Sequence, residues 1–188
     1  MVYEILQRRF LGNTLESYCW FVGIIIAGIV FLRLLSKTLT FVIFKFLKKY
    51  STGVSYDKLL GLLRKPLNAF ILLITFYLAF DRLSFPPEWN IASIDHFGLK
   101  MILYRSFQIA VVVSITWIFL RLIDFLGLIM TYRASLTESK ADDQLVPFFI
   151  EALKVLLIIF SIFFTLGTIF KLNVASLVAG LGIGGLAI

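Results

Sequence analysis

A single cysteine, Cys19, leaves the 188-residue chain no internal disulfide and no cysteine-based metal cluster. It sits within an apolar segment, where a free cysteine behaves as a small hydrophobe. The one histidine, His96, stands alone in a polar connector. There is no Walker loop, no HExxH and no CxxC, and no acid, base and nucleophile gather in the chain. Catalysis therefore has no support, and no cofactor is expected. Acidic residues are the scarcer sign, 11 against 18 Lys and Arg, for a net charge of +7. The basic residues cluster beside apolar segments, which is how membrane proteins fix their orientation and argues against a nucleic-acid role. The first apolar stretch is followed by Arg33 and Lys37, with no small-x-small cleavage site, so it is expected to be retained and not cleaved as a leader.

What the chain has in excess is apolar surface. Hydrophobic residues make up 60% of it, 20 residues are Phe, and the mean hydropathy is +0.97. An average soluble domain is about 45–50% apolar. A water-soluble fold of this length could not hide so much, whereas a bilayer accepts it as solvent. The expected class is an all-α polytopic membrane protein with about five transmembrane helices.

The first apolar segment covers residues 17–35, with Asn13 and Glu16 as an Asx-type start signal and Tyr18 and Trp20 suited to an interface. Past Leu35 the pattern turns amphipathic, with Lys37, Lys45, Lys48 and Lys49 among Phe41, Phe44 and Phe46. That stretch either continues the helix or lies along the surface. The second span is expected over 62–80 with Pro66 near its start, and the third over 101–120, continuing as a charged helix toward Met130. Between them, Pro86-Pro87 stops helix and Trp89 suits an interface. The fourth span is expected over 146–170, capped by Asp142 or Asp143, with Pro147 in its first turn. Lys171-Leu172-Asn173 is short enough only for a tight hairpin, so the fifth segment folds back at once. Its residues 173–188 reach about 24 Å against an apolar core about 30 Å thick, so the last helix is expected to be cut off partway across.

Residues 1–100 thus hold two N-terminal helices with their connectors, residues 101–170 two further helices, and 173–188 the start of the last. The connectors on one side carry eleven basic residues, chiefly Lys37, Lys45, Lys48, Lys49, Arg64 and Lys65, and the other side six. The richer side is expected to be cytoplasmic, with the N-terminus outside and the C-terminus inside. Arg105 reads as an anchor. Lys154 stands three residues after Glu151 and Arg121 three before Asp124, spacings that allow pairing on one helix face. Lys154, a charge within a span, either pairs or snorkels, or has a functional role.

The last sixteen residues, NVASLVAGLGIGGLAI, carry most of the functional information. Gly180, Gly182, Gly184 and Gly185 fall within six positions, joined by Ala175, Ser176, Ala179 and Ala187. Each glycine would cost a soluble helix about 1 kcal/mol relative to Ala, but in lipid small residues let helices approach closely. At 100° per residue, Ser176, Gly180, Gly184 and Ala187 share one small face, while Ala175, Ala179 and Gly182 make a second, with Leu186 on the same side. Two small faces suit two close neighbours, as in a ring of identical helices. The same spacing also serves a helix packed in some other bundle, as in a scaffold or a small-solute transporter subunit. Such transporters often carry internal repeats, and none is evident here.

The run DDQLVP at Asp142–Pro147, an apolar helix, a short Asn-containing turn and LVAGLGIGGLAI resemble the small-conductance mechanosensitive channel (MscS-like) family. The resemblance covers residues 142–188. It implies a three-helix core preceded by two extra helices, and a homo-oligomer, of seven copies in that family. The implied activity is a tension-gated pore of low selectivity that passes inorganic ions under osmotic stress in the bacterial inner membrane. By position, Leu186 matches the leucine that constricts the closed pore, and Ala179, Gly182, Gly185 and Ala187 match residues through which pore helices interlock. Ile183 departs from the smallest version of that ridge. A second constricting leucine, a kink and a cytoplasmic chamber would lie past residue 188. The third and fourth spans would be the lipid-facing paddle, with Phe148, Phe149, Phe160, Phe163 and Phe164 as candidates for contact with membrane lipids.

Overall fold

The computed structural model describes residues 9–49, 53–84, 98–136 and 140–186. A two-residue strand β1 (Arg9–Phe10) pairs antiparallel with β2 (Asn13–Thr14). Five helices follow: α1 (Leu15–Leu47), α2 (Tyr56–Phe80), α3 (Leu99–Ala134), α4 (Lys140–Thr168) and α5 (Val174–Leu186). The first four are long and apolar enough to cross a membrane. The architecture is therefore all-α and polytopic, with α5 shorter than a full crossing.

The hairpin turns at Leu11 and Gly12, both with positive φ (48° and 79°), the geometry that suits a two-residue loop between twisted strands. This shifts the start of α1. Thr14 is the N-cap, its Oγ1 accepting from the Ser17 N–H at 3.3 Å, while Asn13 turns away from the helix. The Asn13 amide donates to the Ser84 carbonyl at 2.7 Å and accepts from the Ser84 N–H at 2.7 Å. An expected helix signal is instead a clip between the hairpin and the chain leaving α2.

α1 continues through Lys37 to Leu47 as one helix of 33 residues, about 50 Å long. α3, with 36 residues, is about 54 Å long. Both exceed an apolar core of about 30 Å, so each also supplies helix outside it. α2 begins at Tyr56, placing Pro66 inside the helix, where it is buried, and not near its start. α4 begins at Lys140, so Asp142 and Asp143 fall within its first turn and Pro147 is interior. In α2 the amphipathic turns carrying Leu59 and Leu63 gain enough burial to extend the helix back through Pro66 despite the lost N–H.

The helices run up and down, each packing chiefly on the next in sequence from α1 to α4. Between α1 and α2 the register is marked by Phe21 edge-on to Phe80, Gly28 against Thr75, and Phe44 against Tyr56. Ser36 and Thr40 are buried on α1. Thr40 and Thr75 donate to carbonyls four residues back, at 2.8 Å each. With their hydroxyls satisfied inside their own helices, these residues serve as small spacers that let the helices approach. Gly28 also marks a close approach: a Cβ there would collide with Thr75.

Between α2 and α3, Tyr77 stacks on Phe107 with centroids 5.0 Å apart. Leu59, Leu63, Leu67, Phe125, Ile129 and Val54 form the buried cluster, with Ile43, Phe44 and Leu47 packed against it. The core thus lies at the end where α1 finishes and α2 begins. Gly53, at φ 79°, lays its backbone on the Tyr132 ring and closes this end. The helix registers place Lys37, Arg64 and Arg121 at about the same height, with most of the buried cluster beyond them.

Candidate functional site

Two features of the second half of the chain make up the site: the uncovered glycine-rich helix α5 and the ion-paired helices α3 and α4 that lead to it. The turn before α5 is built by backbone geometry. Lys171 takes a left-handed conformation (φ 58°), the Phe170 N–H reaches back to the Thr165 carbonyl at 3.3 Å, and the Leu172 N–H to the Leu166 carbonyl at 3.0 Å. Asn173 then accepts from the Ser176 N–H at 3.2 Å through Oδ1 and caps α5. A residue with positive φ and, two positions later, a capping Asn end one helix and start the next across the five residues 169–173.

Past the turn, α5 leaves its neighbours. Val174 lies against Gly167, and α5 touches α4 only slightly. Ala175, Ser176, Leu177, Val178, Ala179 and Gly180 are all exposed. A Cβ on Gly180 would meet open space, in contrast to Gly28, where it would strike Thr75. Among the expected packing residues, Ala179 and Gly180 thus stand on uncovered surface. Gly182, Gly184, Gly185 and Leu186 continue the same helix to its described end, and Ala187 lies outside the described residues.

α3 and α4 are joined at three heights. Nearest α5, the Arg105 guanidinium lies 6.0 Å from the Phe170 ring centroid. Midway, the Thr116 and Ser161 hydroxyls are 2.7 Å apart. At the far end, Lys154 Nζ lies 2.7 Å from Asp124 Oδ1 and 2.8 Å from Glu151 Oε1, while Arg121 donates to Asp124 Oδ2 at 2.8 Å. The order in space is Arg121, Asp124, Lys154, Glu151, alternating in sign along a four-member chain with no net charge. The central pair is the better shielded: the side chains of Asp124 and Lys154 are each 23% exposed, against 69% for Glu151. Close by, Gly127 lets Ile150 pack against α3.

The i,i+3 spacing reveals the two pairs within helices, but the Lys154–Asp124 contact that links them spans thirty residues and needs the α3/α4 register. Antiparallel helices put like signs opposite each other if the two pairs lie level, so the alternating chain depends on the offset that sets Asp124 against Lys154, which the sequence does not reveal.

Phe148, Phe149, Phe160 and Phe164 are exposed, and Phe163 is half-buried. Phe160, Phe163 and Phe164, with Thr116, Phe119 and Val174, line a crevice of about 640 Å³ where α3, α4 and the first residue of α5 meet. His96 lies outside the described residues. Among the described residues, no three His, Cys, Asp or Glu side chains gather as metal ligands would. No known family model, curated protein or solved structure matches this chain.

Proposed function

We propose that this chain is the transmembrane part of a mechanosensitive ion channel, a tension-gated pore of low selectivity that releases osmotic stress. In this reading identical copies, seven by the family resemblance, surround a pore lined by α5 in a bacterial cytoplasmic membrane. The N-terminus is outside and the C-terminus is cytoplasmic. The observation that carries the reading is α5 itself: its residues Ala175–Gly180 are uncovered by their own chain, and Gly180 opens onto empty space. Lipid is a poor partner for such a helix, because the small residues that leave its backbone accessible gain contact only from another close helix.

The rest of the chain supports the same division of labour. α3 and α4 are tied along their length, so they move as a pair. Their exposed phenylalanines present that pair to lipid. Membrane tension favours the state with the larger in-plane area and acts only through a difference between the two states. A stiff pair leading through a five-residue connection into α5 transmits such a difference without dissipating it in local bending. The rival reading, a scaffold or transporter subunit with a fixed glycine-face contact, needs that face to be covered by a stable neighbour, and this chain supplies none within its described residues.

Leu186 is the residue that closes the pore in this proposal, as a hydrophobic constriction that empties of water. Leu186→Ser in the channel-forming protein wets the constriction, and patch recordings should then show opening at lower tension. An unchanged threshold removes Leu186 from the gate.

A further inference from the structure

We infer that one flank of the α1/α2 seam, at the height of Lys37 and Arg64, binds the headgroup of an anionic phospholipid. The inference rests on α1 and α2 crossing a membrane and not on the channel reading, so either can fail without the other.

Lys37 and Arg64 each follow a buried residue, Ser36 on α1 and Leu63 on α2. Each therefore stands about 100° round from the packed face of its helix, in the direction of rising number. Because α1 and α2 run antiparallel, those two rotations open on the same flank of the seam. The registers set by Gly28 on Thr75 and Phe44 on Tyr56 bring the two residues to about the same height. Tyr56 joins the helices just inward of them. Its ring is edge-on to Phe41 and Phe44, and its hydroxyl donates to the Lys37 carbonyl at 3.3 Å. Packed helices stand about 8–10 Å apart, so an ammonium and a guanidinium on one flank can reach a phosphate between them. Arg33, one turn outward of Lys37 on the same side of α1, adds a third exposed cation.

Nothing among the described residues neutralises this flank. Asp124 and Glu151 are held by Arg121 and Lys154 across α3 and α4. From Arg33 to Lys65 the chain carries eight cations and one carboxylate, Asp57. Asp57 is about 10 Å inward of Arg64 along α2. The connecting residues 50–52 are Tyr, Ser and Thr, which add no charge. Lys45, Lys48 and Lys49 continue the basic surface inward.

Depth selects a lipid over other anions. Lys37 lies about 30 Å along α1 from Ser17, the thickness of an apolar core. It therefore reaches the headgroups of one leaflet while Tyr18 and Trp20 sit at the other. Outward of the cations, Ile29, Val30 and Leu34 are exposed and offer acyl chains an apolar surface. A soluble acidic peptide would match the charge and leave that surface unmatched. A zwitterionic headgroup would bring its ammonium against three cations.

The test is native mass spectrometry of the whole chain extracted from vesicles of equal phosphatidylethanolamine and phosphatidylglycerol. Retained phosphatidylglycerol in preference to phosphatidylethanolamine is expected. Each Lys or Arg near a charged membrane surface contributes a factor of about five in affinity. Lys37→Gln with Arg64→Gln should thus lower the preference about twenty-five-fold, with helicity unchanged. Should that pair misfold, Lys37→Gln alone serves, with a loss of about fivefold. Lys58→Gln with Lys65→Gln removes the same charge from the side of α2 turned away from α1, and should leave the preference nearly unchanged. Inorganic phosphate in excess should not displace the lipid, because it has no acyl chains to bury. Retention of neither lipid, no preference for phosphatidylglycerol, equal losses in the two double variants, or displacement by phosphate would each overturn the assignment.

Discussion

Lys154 shows how much a single half-buried charge depends on its partners. Its ammonium meets two carboxylates at 2.7 and 2.8 Å, and Asp124 in turn accepts from Arg121. Removing Lys154 alone leaves Asp124 with one cation in place of two, in surroundings that shield the pair from water. Lys154→Met should destabilise the chain by about 1–3 kcal/mol, the scale of hydrogen bonds to charged groups. Asp124→Leu on top of it should recover part of that loss, because an apolar pair of similar volume is often tolerated where a lone charge is not. A double-mutant cycle by thermal unfolding in detergent reads the coupling, and strict additivity would mean that the two residues do not interact.

Glycine positions separate two uses of small residues within the elements. Gly28 packs on Thr75 inside the chain, whereas Gly180 faces open space. Gly28→Leu should therefore force α1 from α2 and destabilise the chain by about 1–3 kcal/mol in the manner of an overpacked core, read as a lower thermal midpoint. Gly180→Leu should leave the unfolding of the isolated chain unchanged and act only on assembly, visible as loss of oligomer in crosslinking or native mass spectrometry. An equal fall in monomer stability for both would mean that α5 is buried in its own chain after all.

The elements also show what could be read from residues alone. The long apolar stretches of α1 and α3 are legible because length and composition suffice. The early start of α2 was hidden, since Leu59 and Leu63 stand among Lys58, Arg64 and Lys65 and resemble a charged connector until Phe125 covers them. Pro66 and Pro147 invite a helix start nearby, yet preceding turns carry both helices past them, in α2 with the burial of Leu59 and Leu63. The small residues on α5 were visible as a cluster, while Gly28, Ser36 and Thr40 are spread over thirteen positions and gain meaning only against α2. Likewise Asn13 has the chemistry of a cap, and only the fold brings Ser84 within its reach.

For the whole molecule, the buried cluster lies mostly beyond the level of Lys37, Arg64 and Arg121. With that basic level as the proposed cytoplasmic boundary, the packed ends of α1, α2 and α3 continue past it and steady the membrane helices from below. Cys19, exposed in the first turns of α1 at the opposite end, reports the orientation directly. A membrane-impermeant maleimide added outside intact cells should label it, and labelling only after the cells are opened would reverse the proposed topology.

The most direct measurement is disulfide crosslinking between copies of the channel-forming protein, in a Cys19→Ser background with cysteines at Ala179 and Gly182 together. Flank-to-flank α5 helices around a common axis should give a ladder of covalent oligomers under mild oxidant, abolished by Gly180→Leu. A chain that remains monomeric at both positions, with α5 protected inside single subunits, would contradict a shared pore.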